Sequence, residues 1–341
     1  MTTFRLPFPF LLSIILIGTS HVYAAAPQFD QVGFSKFPGA GLRETTGGQG
    51  GRVFNVTSSK ELEAAVKGSD SKTIYIQGNI ALSRALGVGP NTSLLGVGSG
   101  ATITRSGISI KNVTNVIVRN LKISKILGDD GIEIRNSTRV WIDHNEFESD
   151  CCGGGPDKYD GQVDIVRASD WITVSWNYFH DHWKASLVGN SDALRSVDTG
   201  HLHVTYHHNY WRHEGTRGPA GRFGTQHVYN NLYVDYLHQV IHSRSDNQVL
   251  VEGNVFRGNC TEALSTYGLV IPMDSPNTSV NGDEEIDGYA NLGAVNDWGT
   301  CKTNITRVGT FTKAPYPYTL TPLAEVEQLV KAGAGIGKLQ F

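Results

Sequence analysis

At 341 residues and a formal net charge of −3, the chain has room for one large domain or two ordinary ones. It carries no bulk charge that would draw it to nucleic acid or to a membrane surface. Only 18% of its residues are charged while 39 are glycine, a balance that favours a turn-rich β protein over a helical bundle.

The first predicted element is an export signal. Arg5 is its sole charge, Leu6 to Ile17 is apolar, and Ala24-Ala25-Ala26 offers small residues for cleavage. Residues 1–24 read as the signal peptide and 25–341 as one mature domain. The apolar run is broken by Pro7 and Pro9 and is too short for a stable membrane span. No second long apolar run follows, so the mature chain is expected to be secreted, without a membrane partner. The competing reading of the segment is a buried N-terminal strand.

Ser59 to Lys67 has helical spacing behind the caps Ser58 and Ser59, and could cover an open end of the fold. From about Ile103 to Gly258 the chain then repeats itself. Short strand-like runs end in Asn120, Asn145, Asn177, Asn209, Asn231 and Asn254, with spacings of 25, 32, 32, 22 and 23 residues. One strand–turn–strand unit per period is the signature of a solenoid. The period-2 pattern puts Val116 and Val118, Val140 and Ile142, Ile172 and Val174 on one inward face. Asparagine at a fixed place suggests a side-chain ladder at a tight turn, where the residue tolerates left-handed backbone. The expected fold is a parallel β-helix; a β-sandwich with irregular turns is the alternative.

Acids come next along the chain. Asp160 and Asp164 project from the same face of a strand, away from Val163 and Ile165. Asp130, in Asp129-Asp130-Gly131-Ile132, lies one coil earlier. Coils stacked ~4.8 Å apart would crowd these carboxylates together. Oxygen-only ligands favour Ca²⁺ over zinc or copper, although Asp-Gly pairs are also common in solvated turns. Cations follow on later coils: Lys184, then Arg217 and Arg222 around a Gly-Pro-Ala-Gly bend. Three cations along one solenoid face suit a polymer bearing carboxylates, which arginine can grip bidentately. His201, His203, His207, His208 and His213 are dense enough to suggest zinc, but His201 and His203 alternate with Leu202 and Val204 as a solvent-facing strand would. His144 and His180 are expected to bond backbone in turns.

Late in the chain, Cys260–Cys301 is favoured as a bridge closing a loop, with Cys151 and Cys152 pairing locally; four cysteines allow three connectivities. Sequons occur at Asn55, Asn91, Asn112, Asn136, Asn259, Asn277 and Asn304, so a eukaryotic secretory origin would permit glycosylation. Pro322 to Lys331 reads as a final helix, ended by glycines from Gly333.

Several of these runs together carry a family resemblance. Val-Trp-Ile-Asp-His-Asn (140–145), Val-Asp-Ile (163–165), Ile-Thr-Val-Ser-Trp-Asn-Tyr-Phe (172–179), the run around Lys184 to Gly189, and Arg-x-Pro-x-x-Arg (217–222) resemble the pectate lyases of polysaccharide lyase family 1, in particular secreted, fungal-like members. The resemblance spans about Gly33 to Phe341 and is densest from Asn115 to Tyr233. It implies a right-handed parallel β-helix and Ca²⁺-dependent cleavage of de-esterified galacturonan by β-elimination. It further implies that Asp130, Asp160 and Asp164 bind calcium, that Lys184 and Arg222 hold the substrate's carboxylate, and that Arg217 removes the C5 proton. The chain departs from some members at Gly128, where they carry an additional acid, and at Asp160, where others carry glutamate. A calcium-independent pectin lyase on methylated substrate is the nearest alternative. A two-carboxylate glycosidase and a non-enzymatic carbohydrate-binding solenoid are further ones. A monomer acting on pectin polysaccharide, with no nucleic-acid partner, is expected.

Overall fold

The computed structural model describes residues 1, 29–38, 43–151, 155–274 and 279–341. The export signal and the sequon at Asn277 lie outside these residues. The chain winds as a right-handed parallel β-helix with three faces. The first face is a ten-stranded parallel sheet running from Arg52–Val56 to Tyr289–Leu292. The second and third faces are joined into one sheet by the long strand Leu232–Arg244, which turns the corner between them.

Register explains why the sequence winds this way. Val116, Val140, Ile172 and Val204 are successive partners on the first face, and all are fully buried. Each removes apolar surface from water only because the coils above and below cover it, so single coils have no independent stability. On the second face the inward stack is aromatic: Phe147, Phe179, Trp211, Tyr233 and Phe256, with successive ring centroids 4.8, 4.0, 5.9 and 4.6 Å apart. Tyr178 and Tyr210, the residues that directly follow the turn asparagines, stack on the outside instead.

The asparagine ladder exists, with a shift in its membership. Asn145, Asn177, Asn209 and Asn231 each donate from Nδ2, and from their own backbone N, to the Oδ1 of the next coil's asparagine, all at 2.9–3.0 Å. Asn254 extends the row to Asn296, which closes it. Asn120 is not a rung: Leu121 holds that place, and its backbone N donates to Asn145 Oδ1 at 3.0 Å. The left-handed residue of each turn is the one before the ladder, namely Asn120, His144, Trp176, His208 and Asn230 with φ of 60°, 52°, 53°, 55° and 50°. Two different demands therefore select asparagine at adjacent positions, and Asn120 answers the conformational one. The sequon residues Asn91, Asn112 and Asn136 likewise sit at positive φ of 54°, 56° and 46°.

The helix Ser59–Ala65 begins at Ser58, whose side chain accepts from the Glu61 backbone N, and it buries Leu62 and Ala65 over the first coil. The C-terminal helix Leu323–Gly333 seals a flank, pressing Val326 and Val330 on Leu232 and Val255. Residues 29–37 and 311–318 strap the outer side of the first face, where Phe34 packs on Tyr316 and Phe37, and Tyr316 Oη meets Thr205 and His227. Beside that strap His201 stays exposed and His203 half-buried, as their alternation with Leu202 and Val204 suggested. His207, His208 and His227 are buried beneath it, and His203 pairs with Asp170 at 2.8 Å. His144 and His180 bond Asp143 and Asp181 side chains rather than backbone. Cys260 and Cys301 are bridged, closing a separation of 41 residues. Cys151 is also in a disulfide, while Cys152 lies outside the described residues.

Asn177→Ala should destabilise the solenoid by roughly 2–5 kcal/mol, because it orphans the buried Asn145 backbone N and the Ile142 carbonyl. The shift of the chemical unfolding midpoint measures this, and a loss under about 1 kcal/mol would mean the ladder is ornamental.

Candidate active site

One corner of the solenoid, where each coil enters the third face, carries the predicted residues on four successive coils. Ile132 pairs with Val163, which places Asp130 beside Gly161. The Asp130 carboxylate reaches across to accept from the Gly161 backbone N at 2.9 Å. Within the strand Val163–Val166, Val163 and Ile165 point into the core and Asp164 points out, its Oδ1 accepting from the Leu187 backbone N at 3.0 Å. Lys184 ends the strand Tyr178–Lys184 and pairs in register with Thr216, so Arg217 follows on the next coil.

Asp130, Asp160 and Asp164 do converge: one oxygen from each lies within 4.8 Å of the others. Burial, reinforced by Asp164 and Asp160, pushes the Asp130 carboxyl up to about 10. Burial also pushes Asp164 up to about 7, against the pull of Arg217. The crowding is therefore poorly compensated by protein cations. Oxygen-only donors in that state fit a hard divalent cation such as Ca²⁺. Asp129 is not part of the group, since its Oδ1 caps the Asp130 backbone N at 3.0 Å. The backbone of Asp160 is fixed by His182, whose Nε2 donates to the Asp160 carbonyl at 2.7 Å while Nδ1 faces Ser149 Oγ. Burial lowers His182 to about 4, so the ring is neutral and adds no charge to the acids.

The cations stand beside this pocket. Lys184 Nζ is 3.3 Å from Asp160 Oδ1 and 3.5 Å from Asp157 Oδ1. Arg217 occupies the left-handed region at φ 66°, ahead of a cis Gly218-Pro219 bond. Tyr236 and Val240 press on this bend so closely that a Cβ at residue 218 would lie 2.7 Å from Tyr236 Oη, which is why glycine stands there. Arg222 ends the third-face strand Ala220–Arg222 and pairs in register with Arg244 on the next coil.

Four functional neighbours were not anticipated. Glu133 lies opposite Asp164 in register and is tied to Arg135. Arg244 could have been found, because it stands 22 residues after Arg222, one coil length away. Asp274 and Glu285 come from a strap made of residues 266–274 and 279–288, outside the repeat, and no periodic signal marks them. Asp274 accepts from Arg217 Nε at 2.9 Å and from Arg244 Nη1 at 3.1 Å. Glu285 takes the Nε–Nη2 edge of Arg222, whose Nη1 donates to the Gly189 carbonyl at 2.9 Å. Arg222 therefore offers an incoming carboxylate single N–H groups rather than a free fork. Burial alone would lower the Arg217 pKa, but Asp274 and Asp164 outweigh it and raise it. As like charges, Lys184 and Arg222 act in the opposite direction. The dense histidines assemble no ligand group among the described residues.

The chain and its fold have counterparts among known proteins. The family model for pectate lyases matches residues 6–339. Pectate lyase A of Emericella nidulans is 43% identical over 294 residues, covering 85% of this chain and 83% of that one. Pectate lyase A of Aspergillus niger is 40% identical over 294 residues, covering 85% and 84%. Among solved structures, the pectate lyase Bsp165PelA of Bacillus sp. N165, in complex with trigalacturonate, superposes with a TM-score of 0.73 at 29% identity, covering 90% of this chain and 99% of that one. A thermostable pectate lyase, PL 47, matches with a TM-score of 0.71 at 26% identity, covering 90% and 97%. A match of this extent, on a β-helix with acids and arginines gathered at one corner, means that the chain belongs to the pectate lyase family.

Proposed function

We propose that the protein is a secreted, monomeric, Ca²⁺-dependent pectate lyase that cleaves de-esterified (1→4)-α-D-galacturonan by β-elimination. The observation that carries this reading is the juxtaposition, at one corner, of three crowded carboxylates with Lys184 and Arg217. Asp130, Asp160 and Asp164 are the residues that would hold calcium. When bound, the cation neutralises a substrate carboxylate and so acidifies the adjacent C5–H. Lys184 and Arg222 hold and orient that carboxylate by charge and single hydrogen bonds.

Arg217 in its neutral form accepts the C5 proton. The C–H electron pair becomes the C4=C5 double bond, the C4–O bond breaks, and the leaving oxygen is protonated by solvent. Asp274 makes neutral Arg217 rare but strongly basic, so an alkaline working pH is expected. A pectin lyase acting on neutral methyl esters is not favoured, since it would have no use for the three retained acids.

Two outcomes test this reading. Ultraviolet absorbance of unsaturated product should rise on polygalacturonate with Ca²⁺ and stop with excess chelator, and Arg217→Lys should cut turnover by about 100-fold or more while binding changes little. Reducing ends without absorbance would mean hydrolysis instead.

A further test concerns stability. Raised carboxyl pKa values mean that the metal-free folded state holds protons more tightly than the unfolded chain. Its stability therefore falls as pH rises from about 4, through the folded-state values of about 7 and about 10. Calcium should relieve this penalty, so the Ca²⁺-induced rise in Tm should be larger at pH 9 than at pH 5. An equal rise at both would place the cation elsewhere.

A further inference from the structure

We propose that Asp274 is a positioning residue for Arg217: its carboxylate and its carbonyl clamp the Nε–Nη2 edge of the guanidinium and leave Nη1 for the cleft. The inference rests on the reading of Arg217 as the proton-abstracting base. Arg217 Nε donates to Asp274 Oδ1 at 2.9 Å, and Arg217 Nη2 donates to the Asp274 backbone oxygen at 2.6 Å. Among the described residues, Nη1 carries no hydrogen bond. A guanidinium is a rigid plane, so fixing two nitrogens fixes the third. Arg222 differs in the way its role requires: all three of its nitrogens are engaged, by Glu285 and by the Gly189 carbonyl.

Asp274 has the burial and the anchoring that such a role demands. It is 2% exposed, and a buried carboxylate persists only when it is paired. Its other oxygen is held by Arg244 Nη1 at 3.1 Å, itself buried and further tied to Glu285. The strap that delivers it is fastened to the coil bearing Lys184, because Trp183 Nε1 donates to the Met273 carbonyl at 2.6 Å. The short antiparallel pair Leu269–Val270 and Asp283–Glu284 closes the base of the strap. A base oriented by a third group is the same logic that serves other catalytic dyads and triads. Here the orienting carboxylate comes from outside the solenoid repeat.

The test uses the full mature chain on polygalacturonate with saturating Ca²⁺. Asp274→Asn should lower kcat by about tenfold or more with KM within about threefold, since a base displaced by an ångström loses rate rather than binding. Asp274→Glu should restore part of the loss. Trp183→Phe removes the tether to the Met273 carbonyl while keeping an aromatic ring beside His238, and should lower kcat severalfold at unchanged KM, with an unfolding midpoint like the wild type. A kcat for Asp274→Asn within twofold of wild type, a higher kcat, or a change confined to KM would overturn the proposal. If Asp274→Asn does not fold, an unchanged kcat in Trp183→Phe overturns it equally. Absence of unsaturated product from the wild-type chain would defeat the functional reading itself; a wild type that eliminates beside an indifferent Asp274→Asn defeats only this inference.

Discussion

Coil-on-coil register is the constraint on which everything else depends. Parallel strands stacked ~4.8 Å apart can be held in only one alignment when Val, Ile and aromatic side chains must all face inward, since a one-residue slip turns each of them outward. The asparagine row from Asn145 to Asn296 adds a polar pin at the same turn of six successive coils. With register fixed, side chains distant in sequence become neighbours at a corner. Asp130 meets Asp160 and Asp164 because Ile132 faces Val163, and Arg217 follows Lys184 by one coil because Lys184 faces Thr216. The chemistry is thus placed by ladder bonds in a rigid wall, and loops are left to tune it.

Charge along that corner is distributed unevenly. The acid end is undercompensated, so Asp130 and Asp164 hold protons far above the usual carboxylate range. The basic end is the reverse: against the cost of burial, the arginines they pair with draw Asp274 far below that range and lower Glu285. A hard cation is wanted at one end, while at the other the buried guanidiniums are already paired with Asp274 and Glu285. Arg244 shows how close that balance is. Burial and the neighbouring Arg222 bring it down to about 10 even with Asp274 and Glu285 beside it. A strap bearing two carboxylates is therefore part of the site's electrostatics as well as its cover.

Much of this was legible in the sequence because it repeats. Strand positions, the inward valines and isoleucines, the turn asparagines and the corner set Asp130, Asp160, Asp164, Lys184, Arg217 and Arg222 all follow from period and motif. Asn120 misled because one residue type serves two adjacent needs, left-handed backbone and ladder bonding. The burial of His207, His208 and His227 had no signal in the strand pattern, because their cover, Phe34 and Tyr316, comes from both ends of the chain. Asp274 and Glu285 were invisible for a related reason. They lie 57 and 63 residues beyond the arginines they bind, on a strap with no period to predict its path.

The most direct measurement is a crystal structure of Arg217→Lys soaked with Ca²⁺ and trigalacturonate. Calcium bridging Asp130, Asp160 and Asp164 to a sugar carboxylate, with the C5 hydrogen of that sugar facing residue 217, is the expected result. A sugar bound along another face of the solenoid, or calcium held away from these three carboxylates, would contradict the assignment of this corner as the catalytic site.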